Sequence, residues 1–264
     1  MKKYILMAVA GMLALSSCSN DDNEQNAQNA PRQMTFTAGF GDGATTRATL
    51  SGKAVAFEAN DVISILSANN SNCLFYTGSG GATASFNGTA TADTKFYAVY
   101  PYVDGLTLDS STGVISGVKI PSSQDAAATS ACGWDPAAPV AYATTTDKSL
   151  KFKNACALLK VTNNRGFSAT IAIYVHEPKM TGTFSLDTSN GSLSGGTSGY
   201  VSVSYVPDGK TIYIAIAPGS YTNFYAIWTA NQSYGDKYPD DPDIPVTFEA
   251  GKIYDLGNTS DWDR

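Results

Sequence analysis

Short runs of alternating or β-branched residues, each closed off by a turn, recur along most of this chain and constrain its fold more than any other feature. Met34-Thr35-Phe36-Thr37-Ala38-Gly39-Phe40 places Met34, Phe36, Ala38 and Phe40 on one face at a strict period of two, the signature of a strand with one buried side. Residues 62–66, 82–86, 96–100, 114–120 and 140–143 follow, bounded by Gly, Asn, Asp or Pro, the residues that supply turns. Residues 150–162 are long enough for a helix, but Lys151, Lys153 and Asn154 interrupt a 3.6-residue stripe; the segment reads as strand with a bulge or short turn near Asn154. Residues 169–175, 183–186, 200–206, 211–217, 224–228, 244–248 and 252–256 continue the style, with Pro245 marking an edge because it cannot donate to a ladder. Hydrophobic residues make up 43% of the chain, with 15 Tyr and 11 Phe, which excludes a disordered composition and fits an all-β fold.

The amino end reads differently. Lys2 and Lys3 precede an apolar run over residues 4–14, too short to span a bilayer, which takes about 20 residues, but suited to a signal peptide. It ends in Leu15-Ser16-Ser17-Cys18, which resembles the lipobox of bacterial lipoproteins. That resemblance implies cleavage between Ser17 and Cys18 after acylation of the Cys18 thiol, and stable anchoring by several acyl chains; the alternative is an ordinary secretory signal with an incidental cysteine. Residues 1–17 are thus expected as signal peptide and 18–32 as an acidic tether. Ser19-Asn20-Asp21-Asp22-Asn23-Glu24 reads either as plain solvated linker or as similar to the surface-export signal of lipoproteins from gut and oral anaerobes. Losing Lys2 and Lys3 lowers the basic count from 17 to 15 against 23 acidic residues, a net charge of about −8. An acidic surface argues against nucleic acid and anionic membrane as partners.

About 235 residues remain after the tether, enough for one large domain or two sandwiches of about 100–130 residues each. Asn163-Asn164-Arg165-Gly166 is the best candidate joint, giving expected sandwiches over 33–163 and 164–264. Phe57-Glu58-Ala59-Asn60-Asp61-Val62-Ile63 and Phe248-Glu249-Ala250-Gly251-Lys252-Ile253-Tyr254 echo each other, though two short matches do not make a repeat.

The sequence offers no recognisable reaction centre. Its single histidine, His176, ends a strand beside Glu177-Pro178, and no metalloprotease, nucleophile-elbow, phosphate-loop or dinucleotide motif is present. Asp236-Lys237-Tyr238-Pro239-Asp240-Asp241-Pro242-Asp243 lacks calcium-ligand spacing and reads as an exposed acidic loop. The expectation is therefore no enzyme, no cofactor and no metal. Beyond Cys18, the cysteines are Cys73, Cys132 and Cys156. That odd number cannot pair fully within one chain; Cys156 reads as a buried small hydrophobe, and a Cys73–Cys132 bridge stays open. Tyr97, Tyr100, Tyr102, Tyr221, Tyr225, Trp228, Tyr234 and Tyr238 read either as core and edge cover or as faces for stacking on sugars.

A series of motifs stands in order behind the lipobox: Met34-Thr35-Phe36-Thr37-Ala38, Thr46-Arg47-Ala48-Thr49-Leu50-Ser51, Phe57-Glu58-Ala59-Asn60-Asp61-Val62-Ile63-Ser64-Ile65, Ala84-Ser85-Phe86-Asn87-Gly88, Phe96-Tyr97-Ala98-Val99-Tyr100-Pro101, Ile120-Pro121-Ser122-Ser123-Gln124 and Leu150-Lys151-Phe152-Lys153-Asn154. In this order they resemble the fimbrillin family, the type V pilins and related surface lipoproteins of gut and oral anaerobes. The resemblance implies two transthyretin-like β-sandwich domains in tandem, an outer-membrane lipoprotein precursor, and a role in a pilus and in adhesion. It also implies maturation by a trypsin-like protease after an arginine, for which Arg47, followed by Ala48, is the matching position; the other reading of Arg47 is a plain loop residue. Cleavage there would release the strand bearing Met34, Phe36, Ala38 and Phe40, leaving a site that another subunit fills by strand addition. Candidate donor positions in this chain are Ile244, Val246, Phe248, Ile253 and Leu256, because the polar stretch 257–264 cannot fill an apolar groove; this favours a tip or accessory subunit, or a surface lipoprotein that keeps its lipid. Expected partners are other pilus subunits, the outer membrane through lipid, and a host or bacterial surface ligand, with location in the fimbrium after processing. The alternative function is a glycan-binding surface lipoprotein.

Overall fold

The computed structural model describes residues 30–41, 56–126, 133–230, 233–237 and 243–262. Ser17, Cys18, Arg47, Ala48, Cys132 and Tyr238 lie outside them. Among the described residues every regular element is a strand except the short 3-10 turn Thr259–Trp262.

The first seven-strand unit uses β1 (Arg32–Phe40), β2 (Val62–Ser67), β3 (Asn70–Thr77), β4 (Thr83–Ala90) and β5 (Phe96–Tyr100). The chain then makes β6 (Thr107–Asp109) and β7 (Val114–Ile120) before returning with β8 (Ala141–Thr145) and β9 (Ser149–Asn154). Pairing runs β1-β4-β3-β2-β5-β8-β9, and β9 pairs back onto β1, so the sheet closes as a barrel. The sequence leads to an open sandwich here; the closing contact is a parallel pairing between strands far apart in the chain, which no local pattern records. Side chains alternate through the wall, and the interior is an aromatic cluster of Phe36, Phe57, Phe75, Phe86, Phe96 and Phe152, each no more than 2% exposed. Strand β3 is absent from the sequence reading because Asn70-Ser71-Asn72 looks like loop and Leu74 and Tyr76 are apolar on the solvent face, 47% and 54% exposed.

Beyond the barrel the chain forms β10 (Ala157–Thr162), β11 (Ala169–Tyr174), β12 (Gly182–Asp187), β13 (Leu193–Gly195), β14 (Tyr200–Val206), β15 (Thr211–Ile216), β16 (Gly219–Tyr221), β17 (Tyr225–Ala230), β18 (Ser233–Lys237), β19 (Val246–Phe248) and β20 (Ile253–Asn258). The sheets β15-β10-β20 and β14-β11-β17-β18 enclose a second core, with Leu159, Val161, Ile212 and Ile214 facing Ile171, Ile173, Val201 and Trp228. The other face of β10 and β15, through Leu158, Tyr213 and Ala215, is buried in a third cluster with Val99, Ile115 and Leu186. Burial on both faces explains the near-continuous apolar run 155–159, which defeats a reading by alternation.

The change from barrel to second core comes earlier than the joint read at 163–166. It falls at Ala155-Cys156, between β9 and β10; Asn163 is buried, its amide donating to Phe167 O and Val206 O at 2.8 Å each. Strand β7, from the first half, pairs with β12, from the second, in the sheet β13-β12-β7-β6. The stretch 244–248 is strand only from Val246, after Pro245. Cys73 is a free, half-buried thiol, and Cys156 is buried with its Sγ accepting the Val140 N–H at 3.3 Å.

Candidate functional site

Strand β1 sits between two neighbours of opposite sense. Toward β4 it makes an antiparallel ladder from Arg32↔Ala90 to Gly39↔Thr83. Toward β9 it makes a parallel ladder confined to Thr37↔Ser149 through Phe40↔Phe152, bracketed by Thr37 N–H to Lys148 O and Gly41 N–H to Phe152 O, both 3.0 Å. The β9 seam is the shorter of the two, and a cleft of about 250 Å³ lined by Ala38, Phe40, Thr83, Leu150 and Lys151 runs along it.

Met34, Phe36 and Ala38 point into the barrel, at 6%, 0% and 0% exposure, and Phe40 is half-buried. Phe36 meets Phe75 and Phe96 edge-to-face at centroid distances of 5.2 and 5.1 Å. Phe40 stacks on Phe57 at 5.1 Å and tilts against Phe152 at 6.0 Å. The strand's other side is polar: Gln33 Nε2 donates to Thr89 Oγ1 at 2.9 Å, and Thr35 Oγ1 to Asn87 Oδ1 at 2.7 Å. Opposite Met34 stands Gly88, where a Cβ would lie 2.7 Å from the Phe75 ring; glycine is required because that ring fills the space under β4.

After Gly41 the described residues resume at Ala56, and Phe57 bridges Gly81 through two 2.9 Å backbone hydrogen bonds. Since Phe40 stacks on Phe57, the two ends of the segment carrying Arg47 and Ala48 meet at one corner. Burying a Phe or Met side chain contributes about 1.5–3 kcal/mol. Met34, Phe36 and half of Phe40 therefore contribute about 4–7 kcal/mol, comparable to the whole stability of an ordinary domain. A barrel without β1 has an apolar slot and two unpaired strand edges.

The proposed donor positions are occupied in this conformation. Phe248 is 3% and Leu256 8% exposed within the second core. Val246 lies in β19, paired with β16, and Ile253 in β20, paired in parallel with β10; Ile244, 61% exposed, precedes β19. Strand β20 is also pinned by Lys160 Nζ to Asp255 Oδ2 at 2.7 Å. The hydrogen bond from Lys160 holds the Asp255 carboxyl below the usual range, aided by the Gly257 N–H.

The tyrosines divide. Tyr97, Tyr221 and Trp228 are buried, Tyr100, Tyr102 and Tyr225 half-buried, and Tyr234 exposed. Tyr174, in the sheet centre, stacks on Tyr225 at 4.8 Å and 8° and tilts against Tyr200 at 4.8 Å, so these rings spend their faces on one another. Among the described residues the most exposed aromatic, Tyr205 at 82%, escapes the sequence reading. Its trace in the sequence is the broken alternation at Tyr205-Val206, the mark of a bulge. Among the described residues, no group of three or more His, Cys, Asp or Glu is placed to hold a metal ion, and His176 stands exposed two residues beyond β11.

No family model matches the chain, and no curated protein matches its sequence. Among solved structures it is similar to a candidate cell adhesion protein from Bacteroides uniformis, at 17% identity over 85% of this chain and 92% of that one, with a TM-score of 0.52. A candidate cell adhesion protein from Bacteroides ovatus gives 15% identity, coverage of 86% and 92%, and a TM-score of 0.52. A fimbrial assembly protein from Parabacteroides distasonis aligns at 14% identity over 86% and 91% of the chains, with a TM-score of 0.39. At such identities the first two establish likeness of fold over most of both chains, the all-β architecture in which β1 is set.

Proposed function

We propose that this chain is a pilus structural or accessory subunit acting in adhesion, built from two transthyretin-like halves and exported to the outer membrane as a Cys18-anchored lipoprotein. Maturation is cleavage after Arg47, which frees β1, and another subunit's strand then takes its place between β4 and β9. The observation that carries this reading is the position of β1: one strand closes the barrel, contributes about as much burial as a domain can spare, and connects onward through the segment holding Arg47. The cell-adhesion naming of the two structural neighbours agrees with it, as does the order of motifs behind the lipobox. Strand addition answers the physical problem that cleavage creates, because it pairs both exposed edges and refills the slot. The incoming strand is expected to present large, small and aromatic side chains at alternate positions, as Phe36, Ala38 and Phe40 do. Donation by β19 or β20 of this chain would extract Phe248 or Leu256 from the second core, so the donor is expected from a different subunit.

The test is limited trypsin digestion of the full chain with and without a peptide spanning residues 33–41. Cleavage after Arg47 should release the N-terminal fragment slowly, and added peptide should occupy the vacated slot; Arg47→Ala should block both. A cleaved chain that retains its original fragment indefinitely and never takes up the peptide would sink the proposal. Labelling with palmitate, lost on Cys18→Ala, tests the anchor separately.

A further inference from the structure

A second cleft, of about 480 Å³, lies on the far half of the molecule and is independent of β1; it is lined by Ser123, Gln124, Asp125, Asp135, Ser204 and Tyr205, with Pro207 at its edge. Its floor is a β-bulge. Ile171 pairs with Val203 and Ala169 with Val206, so Ser204 and Tyr205 together oppose Thr170. Val203 and Val206 both face the core, and both bulge residues are thrown outward; re-aiming side chains is what bulges do. Tyr205 takes φ of +55°, a left-handed conformation uncommon for a bulky residue. Glycine or asparagine serves such a position at less strain, so folding alone does not ask for an exposed aromatic ring there.

The opposite wall is tied to two strands. Ser122 and Gln124 bracket Ser202 of β14 through backbone hydrogen bonds of 2.8 and 2.9 Å. The Gln124 side chain, 3% exposed, donates to Ala215 O at 2.7 Å and accepts the Ala215 N–H at 2.9 Å, tying the same segment to β15. Asp135 then fixes Asp125, accepting its N–H on Oδ2 at 3.0 Å, and accepts the Ala137 N–H on Oδ1 at 2.9 Å.

We propose that this cleft binds a neutral saccharide, with the Tyr205 ring as stacking face and the Asp125 and Asp135 carboxylates as acceptors for sugar hydroxyls. The chemistry of the lining selects that class. A sugar needs an aromatic face for its C–H surface together with both donors and acceptors for its hydroxyls, and Tyr205, Ser123, Ser204 and the two carboxylates supply all three. Among the described residues that line the cleft there is no lysine or arginine and the charged ones are acidic, which disfavours sialylated and sulfated sugars. The volume falls within the range of small-ligand sites.

The experiment is binding of the full chain to an array of neutral, sialylated and sulfated oligosaccharides, with a lysine-rich peptide as control, followed by titration of the best neutral ligand. Neutral glycans should bind and the other two classes should not. Tyr205→Ala should weaken binding about tenfold, the scale of one aromatic contact, and Tyr205→Phe should keep it within about twofold of the parent. Tyr205→Gly should raise the melting temperature by relieving the left-handed strain while lowering affinity, a split that a purely structural role does not produce. Failure of every neutral glycan, selective binding of anionic glycans or of the basic peptide, or equal affinity in Tyr205→Ala would each overturn the assignment.

Discussion

Replacing Phe36 by alanine measures directly how much the closing strand holds the barrel. The side chain is fully buried and loses two edge-to-face partners, Phe75 at 5.2 Å and Phe96 at 5.1 Å. Each aromatic pair contributes about 0.5–1.5 kcal/mol beyond area burial, and phenylalanine-to-alanine changes in cores cost about 3–5 kcal/mol in all. The matched control is Thr35→Ala, one residue away on the solvent side, which gives up one hydrogen bond of 2.7 Å to Asn87 and should cost about 1 kcal/mol or less. Amide hydrogen exchange on β4 and β9 reads the difference: protection should fall by about two orders of magnitude or more in Phe36→Ala, and by less than tenfold in Thr35→Ala. The β9 amides should lose protection first, because that seam holds only the pairs from Thr37 to Phe40. Equal losses in the two variants would show that the inward face of β1 does not carry the closure, and the removable-strand reasoning would fail with it.

Gly88→Ala should destabilise the barrel by about 1–3 kcal/mol through overpacking, since its Cβ would stand 2.7 Å from the Phe75 ring; a shifted urea midpoint checks it. Gln124→Ala should cost about 2–4 kcal/mol, because Ala215 loses partners for both its N–H and C=O in a buried position, and a melting curve reads it. Acid should loosen β20: the folded Asp255 carboxyl titrates below its unfolded value, so its contribution is present above the unfolded pKa of about 4 and is lost as pH falls through the lower folded value. The pair is half-exposed, so the effect stays under about 1 kcal/mol; β20 amide exchange at pH 6 and pH 3 measures it, and Asp255→Asn should remove the pH dependence.

The parts of this fold legible in the sequence are those where one face meets water. Residues 34–40 alternate cleanly because Gln33, Thr35 and Thr37 face solvent while Met34, Phe36 and Ala38 face aromatic rings. Legibility fails where that contrast is missing. Strand β3 carries apolar Leu74 and Tyr76 outward, and β10 is buried on both faces, so neither shows its register. The short break at Ala155-Cys156, between β9 and β10, hides inside that second run. Tyr205 was invisible for a related reason: the period of two assigns it inward, and only the bulge opposite Thr170 turns it out.

The placement of β1 relative to the rest of the molecule adds a constraint on any exchange of strands. The cluster that unites the barrel with the second half takes Leu66 from β2, Tyr97 and Val99 from β5 and Tyr142 from β8. None of its members comes from β1, β4 or β9. The strand that closes the barrel therefore lies among neighbours that play no part in the joint, with a polar outer surface of Gln33, Thr35 and Thr37. The joint itself depends on β7 pairing with β12 along Val114–Ile120, which lies outside the barrel ring. Taking β1 away should thus open the barrel on one side while the β7–β12 ladder keeps its amide protection. If loss of β1 instead deprotects β7 and β12 along with β4 and β9, the barrel and the joint form one cooperative unit. A subunit of that kind would not survive the interval between losing one strand and gaining another.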